Sequence, residues 1–484
     1  MTTTTVIRNI DWAVVWDSVH GRQAYARDVD LAFTGDRIVH VGRGFAGKAD
    51  REIDGRHSAV MPGLIDIHAH PTLEPIHRGL TEDVGSDKLY GSSLYEFNTA
   101  FRPDVEGMAS AMEVAIAEAL SSGVTTLVDI SAGVQEEATG RMVDSGIRTV
   151  VAPGFRCARW RSKDGHTVDY DWDLAAGRKS YEAALEGIAR WSSHPSGRVS
   201  GMLAPMQIDT VSPDILKESH AAAVAEGIPW QVHAGQSVWE FQEITRRTGL
   251  TPVQWLADLG VLDQTTIVGH AIFLDHHKTS NWPTRTDLGL LAETGASVGH
   301  CPTIFGRRGF TLQHFGAYVD AGVNVAIGTD SYPHNILEEA RHAAVYGRIA
   351  AGWVHALRTA DIFAALTVNG ARALGRDDLG RLAVGCQADI VIADGRHPAM
   401  MPLRDPLKSL IFSAADRAVR DVFVAGEAVL AGGRPLRIDV ERAAGELAEA
   451  QRRAIARTPD HDRLGRTAEE LVPLVLPRLE AAED

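Results

Sequence analysis

Eight short apolar runs with strand character follow one another between residues 58 and 330, and most are preceded by a helical stretch that ends in glycine. Apolar residues at three-to-four spacing predict two of these helices over residues 106–123 and 212–227. Strands that alternate with helices form parallel βαβ units, and eight such units are the number that closes a barrel. The predicted fold class is therefore α/β, with a (β/α)8 TIM-type barrel. The eight runs cover residues 59–70, 125–130, 148–154, 200–206, 228–235, 265–272, 296–303 and 323–331.

The two flanks of this barrel alternate apolar and polar residues around turn signals, which is typical of small antiparallel sheets. We expect the flanks to pair into one small β-sandwich domain built from both chain ends. The last segment is charged, rich in alanine and helical in its spacing. The predicted organisation is a first part of the β-sandwich over 1–60, the barrel over 61–375, a second part of the β-sandwich over 376–437, and a helical C-terminal extension over 438–484.

Composition limits the possible partners. The net charge of −15 argues against a nucleic acid or an anionic membrane surface, since both favour basic patches. The N-terminal residues lack the basic start and apolar stretch of a secretory signal. Three scattered cysteines, Cys157, Cys301 and Cys386, fit a reducing compartment better than a disulfide framework. We therefore expect a cytoplasmic protein that acts on a small molecule and binds neither nucleic acid nor membrane.

Candidate metal ligands lie at the ends of the predicted strands. His68 and His70 end the first run, and side chains two residues apart on a strand face the same way, so the pair can bind one ion. His233, His270 and Asp330 lie near the ends of the fifth, sixth and eighth runs, where a barrel gathers its catalytic groups. Taken singly, His270 could be a core histidine and Asp330 a turn or helix cap. Three imidazoles and one carboxylate together suit a zinc-like or ferrous ion with an open position.

These motifs resemble the amidohydrolase superfamily, and in particular its mononuclear branch that contains cytosine and guanine deaminases and triazine hydrolases. The resemblance implies that His68, His70, His233 and Asp330 bind one metal and that His270 polarises the substrate. It also implies a homo-oligomer, either a dimer or a multiple of dimers. The motifs that carry the resemblance are Pro-Gly-Leu-Ile-Asp before His-x-His at 62–70, the strand-five histidine, Gly-His at 269–270, His-Cys-Pro-Thr at 300–303, Gly-Thr-Asp at 328–330 and Gln-Ala-Asp-Ile-Val at 387–391.

The number of metals can be predicted separately. Binuclear relatives in the superfamily bridge two ions with a carboxylated lysine at the end of strand four, and residues 200–210 contain no lysine. Lys217 lies on the following helix and is most simply a solvated surface charge. We therefore expect one divalent ion per chain, zinc first, with Fe(II) or Co(II) as alternatives.

Strand five departs from the pattern of the ring deaminases. Those relatives carry His-x-x-Glu, and the glutamate transfers a proton to a ring nitrogen, whereas this chain has Gln236 at that position. A neutral amide can form hydrogen bonds but cannot transfer a proton. Glu240 or Glu243 could substitute from the following segment, although the simpler interpretation makes both of them surface carboxylates.

An acyclic carbonyl needs no ring protonation, so the sequence favours hydrolysis of a C–N bond in a phenylurea, a carbamate or thiocarbamate, or an anilide. Activated water attacks the carbonyl, the metal or His270 stabilises the oxyanion, and Asp330 passes a proton to the departing amine. The alternative is an aminohydrolase, deaminase or triazine-type hydrolase that acts on a heteroaromatic ring. A catalytically silent scaffold is the remaining hypothesis, and the intact ligand set argues against it. The candidate substrate pocket comprises Gln236, Trp160, Trp239, His300, Phe305 and Phe310, although each aromatic residue could instead be ordinary core packing.

Overall fold

The computed structural model describes residues 3–312 and 314–478, so residues 1–2, 313 and 479–484 of the predicted segments lie outside the described residues. Seven short strands open the chain. Four of them form a sheet in the order β5-β4-β1-β6, and the other three join a larger sheet described below. The strands are β1 Thr4–Ile10, β2 Trp12–Asp17, β3 Arg22–Ala26, β4 Val29–Thr34, β5 Arg37–Gly42, β6 Arg51–Asp54 and β7 Ser58–Pro62.

Each of the eight predicted runs overlaps a strand of the central domain, and β9 and β14 begin one residue before their runs. Most residues of these strands are buried, which explains why the sequence reads as apolar runs rather than as alternation. The eight strands are β8 Leu64–Ala69, β9 Val124–Asp129, β10 Arg148–Val151, β14 Val199–Gly201, β16 Trp230–Ala234, β17 Thr266–His270, β18 Ser297–His300 and β19 Asn324–Ile327. Shorter strands lie between them: β11 Gly154–Phe155, β12 Ala158–Arg161, β13 Asp169–Trp172 and β15 Ala204–Pro205.

The central strands form two parallel sheets rather than one continuous ladder. One sheet has the order β14-β10-β9-β8 and the other the order β16-β17-β18-β19. Isolated parallel bridges join their edges, between Ala69 and Asp330 on one side and between Leu203 and Trp230 on the other. We predicted a closed eight-stranded barrel with Asp330 at the end of its last strand. The ladder instead ends with β19 at Ile327, and Asp330 lies in the following turn with a φ of 58°, so isolated bridges rather than continuous ladders join the two sheets.

A second, smaller domain combines strands from both sides of the central domain. Strand β7 pairs in parallel with β2 and antiparallel with β20, in a seven-stranded sheet of order β23-β22-β21-β20-β7-β2-β3. Apolar side chains such as Leu31, Phe33, Ile390 and Phe423 form the buried cluster between this sheet and the four-stranded one. The C-terminal strands are β20 Ile390–Asp394, β21 Val419–Val424, β22 Glu427–Ala431 and β23 Arg434–Pro435. We call these two sheets the β domain.

The first predicted run is two strands rather than one. Gly63 separates β7 of the β domain from β8 of the central domain, and its N–H donates to Asp389 O at 2.8 Å. A Cβ atom at this position would lie 2.0 Å from Thr125 Oγ1, so only glycine lets the chain pass against β9. The prediction of one continuous strand is therefore wrong, because a close backbone approach forces the change of sheet.

Helices cover the central domain and form the C-terminal extension. The two that we predicted are α1, capped by Asp104, and α4, which begins after the Ser212 cap and ends at Gly227 with a φ of 64°. Among the described residues, we find no helix with the length and apolar character that a bilayer crossing requires. The helices are α1 Val105–Ser121, α2 Glu136–Asp144, α3 Leu174–Ser192, α4 Pro213–Glu226, α5 Val238–Thr248, α6 Pro252–Asp258, α7 Asp287–Thr294, α8 Pro302–Gly306, α9 Phe315–Asp320, α10 Ile336–Ala351, α11 Thr359–Ala365, α12 Val368–Ala373, α13 Pro406–Ser409, α14 Val440–Ala456, α15 Thr458–His461 and α16 Ala468–Leu471.

The C-terminal extension packs on the long segment 71–104, which we call the β8 loop. Gln451 Nε2 on α14 donates to the carbonyl oxygens of Ile76 and Arg78 at 2.7 and 2.8 Å. Further along, the guanidinium groups of Arg463 and Arg466 lie 3.3 and 2.8 Å from Glu96 Oε1. The extension therefore fixes the β8 loop from outside the central domain.

We predict that Gly63→Ala lowers the free energy of unfolding by about 1–3 kcal/mol, because the new methyl group overpacks against Thr125. The matched control is Gly445→Ala on α14, where no atom lies within 4 Å of the added methyl group and helix propensity favours alanine by about 0.5–1 kcal/mol. Denaturant unfolding of the three proteins measures both changes. Equal midpoints for Gly63→Ala and Gly445→Ala would show that the passage at Gly63 is not tight.

Candidate metal centre

Five side chains converge where the two central sheets meet. Nitrogen or oxygen atoms of His68, His233, His270 and Asp330 all lie within 4.8 Å of one another. His70 faces the same point, since its Nε2 atom lies 3.2 Å from His233 Nε2 and 3.2 Å from Asp330 Oδ1. All five residues that the sequence proposed for the metal and its catalytic partner are thus brought together, from the ends of three strands and the turn after a fourth.

The orientation of His68 is set by an amide from a neighbouring strand. Its Nδ1 atom lies 2.5 Å from Gln231 Oε1, while Gln231 Nε2 donates to Ile67 O at 3.1 Å and to Met202 Sδ at 3.3 Å. Because the amide nitrogen is committed to these two acceptors, its oxygen must accept from His68. The Nδ1 atom of His68 therefore carries the proton, and the Nε2 lone pair points into the centre.

Backbone carbonyls fix two more imidazoles in the same way. His70 Nδ1 lies 2.7 Å from Ile130 O, and His233 Nδ1 donates to Met206 O. A carbonyl oxygen can only accept, so both rings carry their proton on Nδ1 and present Nε2 to the centre. Three convergent Nε2 lone pairs, each supported by an outer hydrogen bond, are the usual arrangement of metal-binding histidines.

The charges of the centre are those of a cation site. Burial alone would raise the pKa of Asp330, but the neighbouring imidazoles of His68 and His70 hold that pKa well below its ordinary value. Burial and the neighbouring imidazoles place the pKa of His233 well below its usual range. Burial acts against protonation of His70 as well, yet Asp330 outweighs it and raises the pKa of His70 to about 9. The ionised carboxylate of Asp330 therefore favours a positive charge in the centre, and the raised pKa of His70 is one result of this.

One buried atom provides an independent test of whether a metal fits. The His68 side chain is 0% exposed, and its Nε2 atom has no hydrogen-bond partner among the described residues. A buried nitrogen without a partner is costly unless another ligand occupies its lone pair. The donor set and the unpartnered nitrogen both fit one divalent ion of the zinc type.

An apolar pocket opens directly above the five side chains. Gln236, Phe305 and Phe310 from the predicted pocket line it, and the Phe305 ring contacts the His270 ring edge to face at 4.6 Å. Gln236 Nε2 is buried and has no hydrogen-bond partner within the described chain. The pocket therefore presents an amide donor and two aromatic rings close to the metal centre.

Three predicted pocket residues lie elsewhere. Trp160 and Trp239 pack beside the pocket in an apolar cluster with Tyr95, and Trp160 Nε1 donates to Asp209 Oδ2 at 2.9 Å. The His300 ring is buried and packs edge to face on the Phe315 ring at a centroid distance of 5.5 Å. Burial lowers the pKa of His300 to about 3. None of the three is among the residues that line the pocket within the described chain. Their aromatic character therefore serves packing in this structure.

The interpretation of Glu240 and Glu243 as surface carboxylates is wrong. Glu240 is 0% exposed, and its carboxylate accepts the N–H groups of Gly235 at 2.6 Å and Gln236 at 3.3 Å. Burial raises the pKa of Glu240 well above its ordinary value. Glu243 is also buried and pairs with Arg246 and Arg247. Glu240 thus holds the turn after β16 in place, and it does not line the pocket.

Sequence reasoning missed the β8 loop, which contributes eight residues to the pocket. Its most notable member is Glu74, whose carboxylate accepts from Ser331 Oγ at 2.6 Å and lies 3.5 Å from His77 Nδ1. Burial raises the pKa of Glu74, but His77 and Ser331 outweigh burial and leave that pKa below its usual value. A carboxylate four residues after His70 was the available signal. The eight residues are Leu73, Glu74, Leu89, Tyr90, Ser92, Ser93, Leu94 and Asn98.

Comparisons with known proteins show which family and which solved structures this chain is similar to. The amidohydrolase family profile matches residues 59–429. A 5-methylthioadenosine/S-adenosylhomocysteine deaminase from Natronomonas pharaonis is 30% identical over 397 residues, covering 81% of this chain and 86% of the relative. A zinc-bound adenosine deaminase from Xanthomonas campestris superposes with a TM-score of 0.80 at 24% identity, over 93% of this chain and 98% of that one. An atrazine chlorohydrolase from Arthrobacter aurescens TC1, also with zinc, gives 0.79 at 22% identity, over 92% and 100%.

We predict that Gln231→Leu weakens zinc binding about 10- to 100-fold, because His68 loses the acceptor that orients its ring. Zinc retained after dialysis against a graded chelator series, measured by mass spectrometry, gives the change. Gln264→Leu is the matched control, since Gln264 is exposed and lies outside the centre. Zinc retention equal to that of the wild-type protein in Gln231→Leu would contradict the orienting role of the amide.

Proposed function

Because the chain belongs to the amidohydrolase family, we propose that it is a metal-dependent aminohydrolase that replaces an amino group, or a comparable leaving group, on a heteroaromatic ring with a hydroxyl group from water. The observation that carries this proposal is the convergence of five donor side chains on one point beneath an apolar pocket. The relatives support the ring substrate, since they are named for adenosine-type nucleosides and for atrazine.

This proposal reverses the order of our two substrate classes. The sequence favoured an acyclic urea, carbamate or anilide because Gln236 stands where ring deaminases carry glutamate. None of the three relatives described above is named for such a substrate. The ring alternative therefore comes first, and the acyclic class is kept as a contrasting outcome of the experiment below.

In our proposal His68, His70, His233 and Asp330 would hold one divalent ion. Zinc is the first candidate because both structural relatives contain it, and Fe(II) and Co(II) suit the same donors. When bound, such an ion supplies electrostatic stabilisation of developing negative charge and lowers the pKa of a water molecule. The two parallel sheets of the central domain position these residues and support a TIM-type barrel. The superposition on the adenosine deaminase structure over most of the chain supports the same fold.

In this proposal Asp330 transfers protons and His270 donates a hydrogen bond to the substrate. The Asp330 carboxylate is ionised and lies 3.2 Å from His70 Nε2, at the centre of the site, where it can accept a proton from the attacking water and return it to the leaving amine. The imidazole of His270 has a pKa well below its usual range because of burial, so the ring is neutral and can donate a hydrogen bond to the substrate. Phe305 packs edge to face on the ring of His270.

Gln236 defines which rings are suitable. Its buried, unpartnered Nε2 atom can stabilise developing charge on a ring nitrogen by a hydrogen bond, but it cannot deliver a proton. Glu240 does not replace it, since both oxygens of that carboxylate accept backbone N–H groups. A substrate ring must therefore accept water with hydrogen-bond assistance from Gln236 and without a proton from that residue.

We expect the zinc-loaded protein to release ammonia or another substituent from aminopurine nucleosides or substituted triazines, with the hydroxylated ring as the second product. Mass spectrometry of both products, with phenylureas, thiocarbamates and anilides in the same panel, identifies the bond that breaks. Release of an aniline or aliphatic amine from the acyclic compounds, with the rings untouched, would reject the ring proposal and restore the acyclic one.

We predict that Asp330→Asn lowers kcat about 10²- to 10⁴-fold, because the amide cannot accept the proton of the attacking water. Zinc content is measured in parallel, and rates are compared per bound zinc, so that loss of a ligand is separated from loss of the proton acceptor. Near-normal turnover per zinc in this variant would remove Asp330 from proton transfer.

We further predict that Gln236→Glu raises kcat/KM for ring substrates about 10²-fold, because a carboxylic acid at this position can protonate the ring nitrogen. Gln207→Glu is the matched control, since Gln207 is the other glutamine that lines the pocket. A similar gain in both variants would point to a general charge effect. No gain in Gln236→Glu would show that ring protonation does not limit the reaction.

A further inference from the structure

Glu74 is the one carboxylate besides Asp330 among the described residues that line the pocket. Asp330 is engaged by the imidazoles of the metal centre, as shown above. Glu74 has a different setting, because its side chain is 14% exposed and opens on the space that a substrate would occupy. A negative charge in an apolar pocket requires donors, and those that the protein does not supply must come from the ligand.

The backbone places Glu74 immediately beside the metal centre. Its N–H donates to His70 O at 3.0 Å, in the short 3₁₀ turn Glu74–His77 that follows β8. Ser331, which directly follows Asp330, donates from Oγ to Glu74 Oε2 at 2.6 Å. Glu74 is therefore tied to both segments that carry candidate ligands at this edge, through its backbone to His70 and through its carboxylate to Ser331.

The two oxygens of Glu74 are not equivalent. Oε2 accepts from Ser331 and lies 3.5 Å from His77 Nδ1, whereas Oε1 accepts no hydrogen bond from any described residue. Arg308, the cationic side chain that lines the same pocket, directs its guanidinium to Thr81 O, Glu82 O and Ser93 Oγ at 2.7 to 2.9 Å instead. Oε1 thus remains as an acceptor for a ligand.

We propose that Glu74 is a specificity-determining residue that selects heteroaromatic substrates bearing a second amino group, or an equivalent N–H donor, on the ring carbon that one ring nitrogen separates from the carbon that water attacks. The proposal rests on the ring aminohydrolase function proposed above. The position beside His70 and Ser331 favours a donor on the ring itself, because a group attached farther away would extend toward the outer pocket wall formed by the β8 loop. Substrates of this class carry a diamino edge, as diaminopurines and diaminotriazines do.

The test compares two ligands that differ by one amino group, diaminopurine riboside and adenosine. We expect the zinc-loaded wild-type protein to prefer the diamino compound, and Glu74→Gln to reduce this preference about 10- to 100-fold, the range for a hydrogen bond to a charged acceptor. The change should lie in KM more than in kcat, since Glu74 holds the substrate and does not react. Glu74→Asp keeps the negative charge but places the carboxylate one methylene group farther from the substrate, so we expect an intermediate preference.

Glu82→Gln is the matched control. Glu82 lies on the same loop, does not line the pocket, and its side chain only accepts from Gly79 N at 2.7 Å, which glutamine can also do. The preference of this variant should equal that of the wild-type protein. Zinc content and circular dichroism of all variants separate an effect on recognition from damage to the centre or the fold.

Equilibrium binding of the same two ligands, measured by calorimetry, separates this inference from the proposed function. Preferential binding of the diamino compound that Glu74→Gln abolishes, without turnover of either ring, would support the role of Glu74 and reject the aminohydrolase function. An unchanged preference in both Glu74→Gln and Glu74→Asp would overturn the role of Glu74, whether or not the rings are hydrolysed. Failure of the wild-type protein to bind either compound would overturn it as well.

Discussion

The ionised carboxylate of Asp330 is the group on which the centre depends. A buried charge of this kind is tolerated only when paired, and here His70 supplies a partner at 3.2 Å. The backbone of Asp330 also joins the two parallel sheets of the central domain. Its N–H donates to His68 O at 2.8 Å, and its carbonyl oxygen accepts from His70 N at 3.0 Å. Asp330 therefore both contributes a side chain to the centre and connects the two sheets through its backbone.

Much of the fold could be predicted because strands buried on both faces read as apolar runs, and because polar residues at their ends stand out against that background. The five residues of the centre were found in this way. Gly63 was not, since its role depends on the approach of β9, which is distant in sequence. The continuity of the barrel ladder was not predictable either, because it depends on local backbone angles such as that of Asp330.

The substrate side of the site was less accessible to prediction for a different reason. Glu240 reads as a solvated carboxylate, but the turn after β16 supplies two backbone donors that compensate its burial. Trp160 reads as a pocket aromatic, but the carboxylate of Asp209 takes its N–H and holds the ring beside the pocket. Glu74 is visible in the sequence only as one more acidic residue. The partners of Trp160 and Glu74 lie far away in sequence, and those of Glu240 are backbone groups, so the side-chain pattern does not reveal these contacts.

The contact between the C-terminal extension and the β8 loop also determines when the site is completed. Chains emerge from the ribosome N-terminus first, and domains begin to fold as they appear. All ligands of the centre precede residue 331, whereas the arginines that hold Glu96 are at 463 and 466. In a nascent chain the residues of the centre can therefore come together before the β8 loop has its ionic support. That support appears only after residues 463 and 466 have been synthesised.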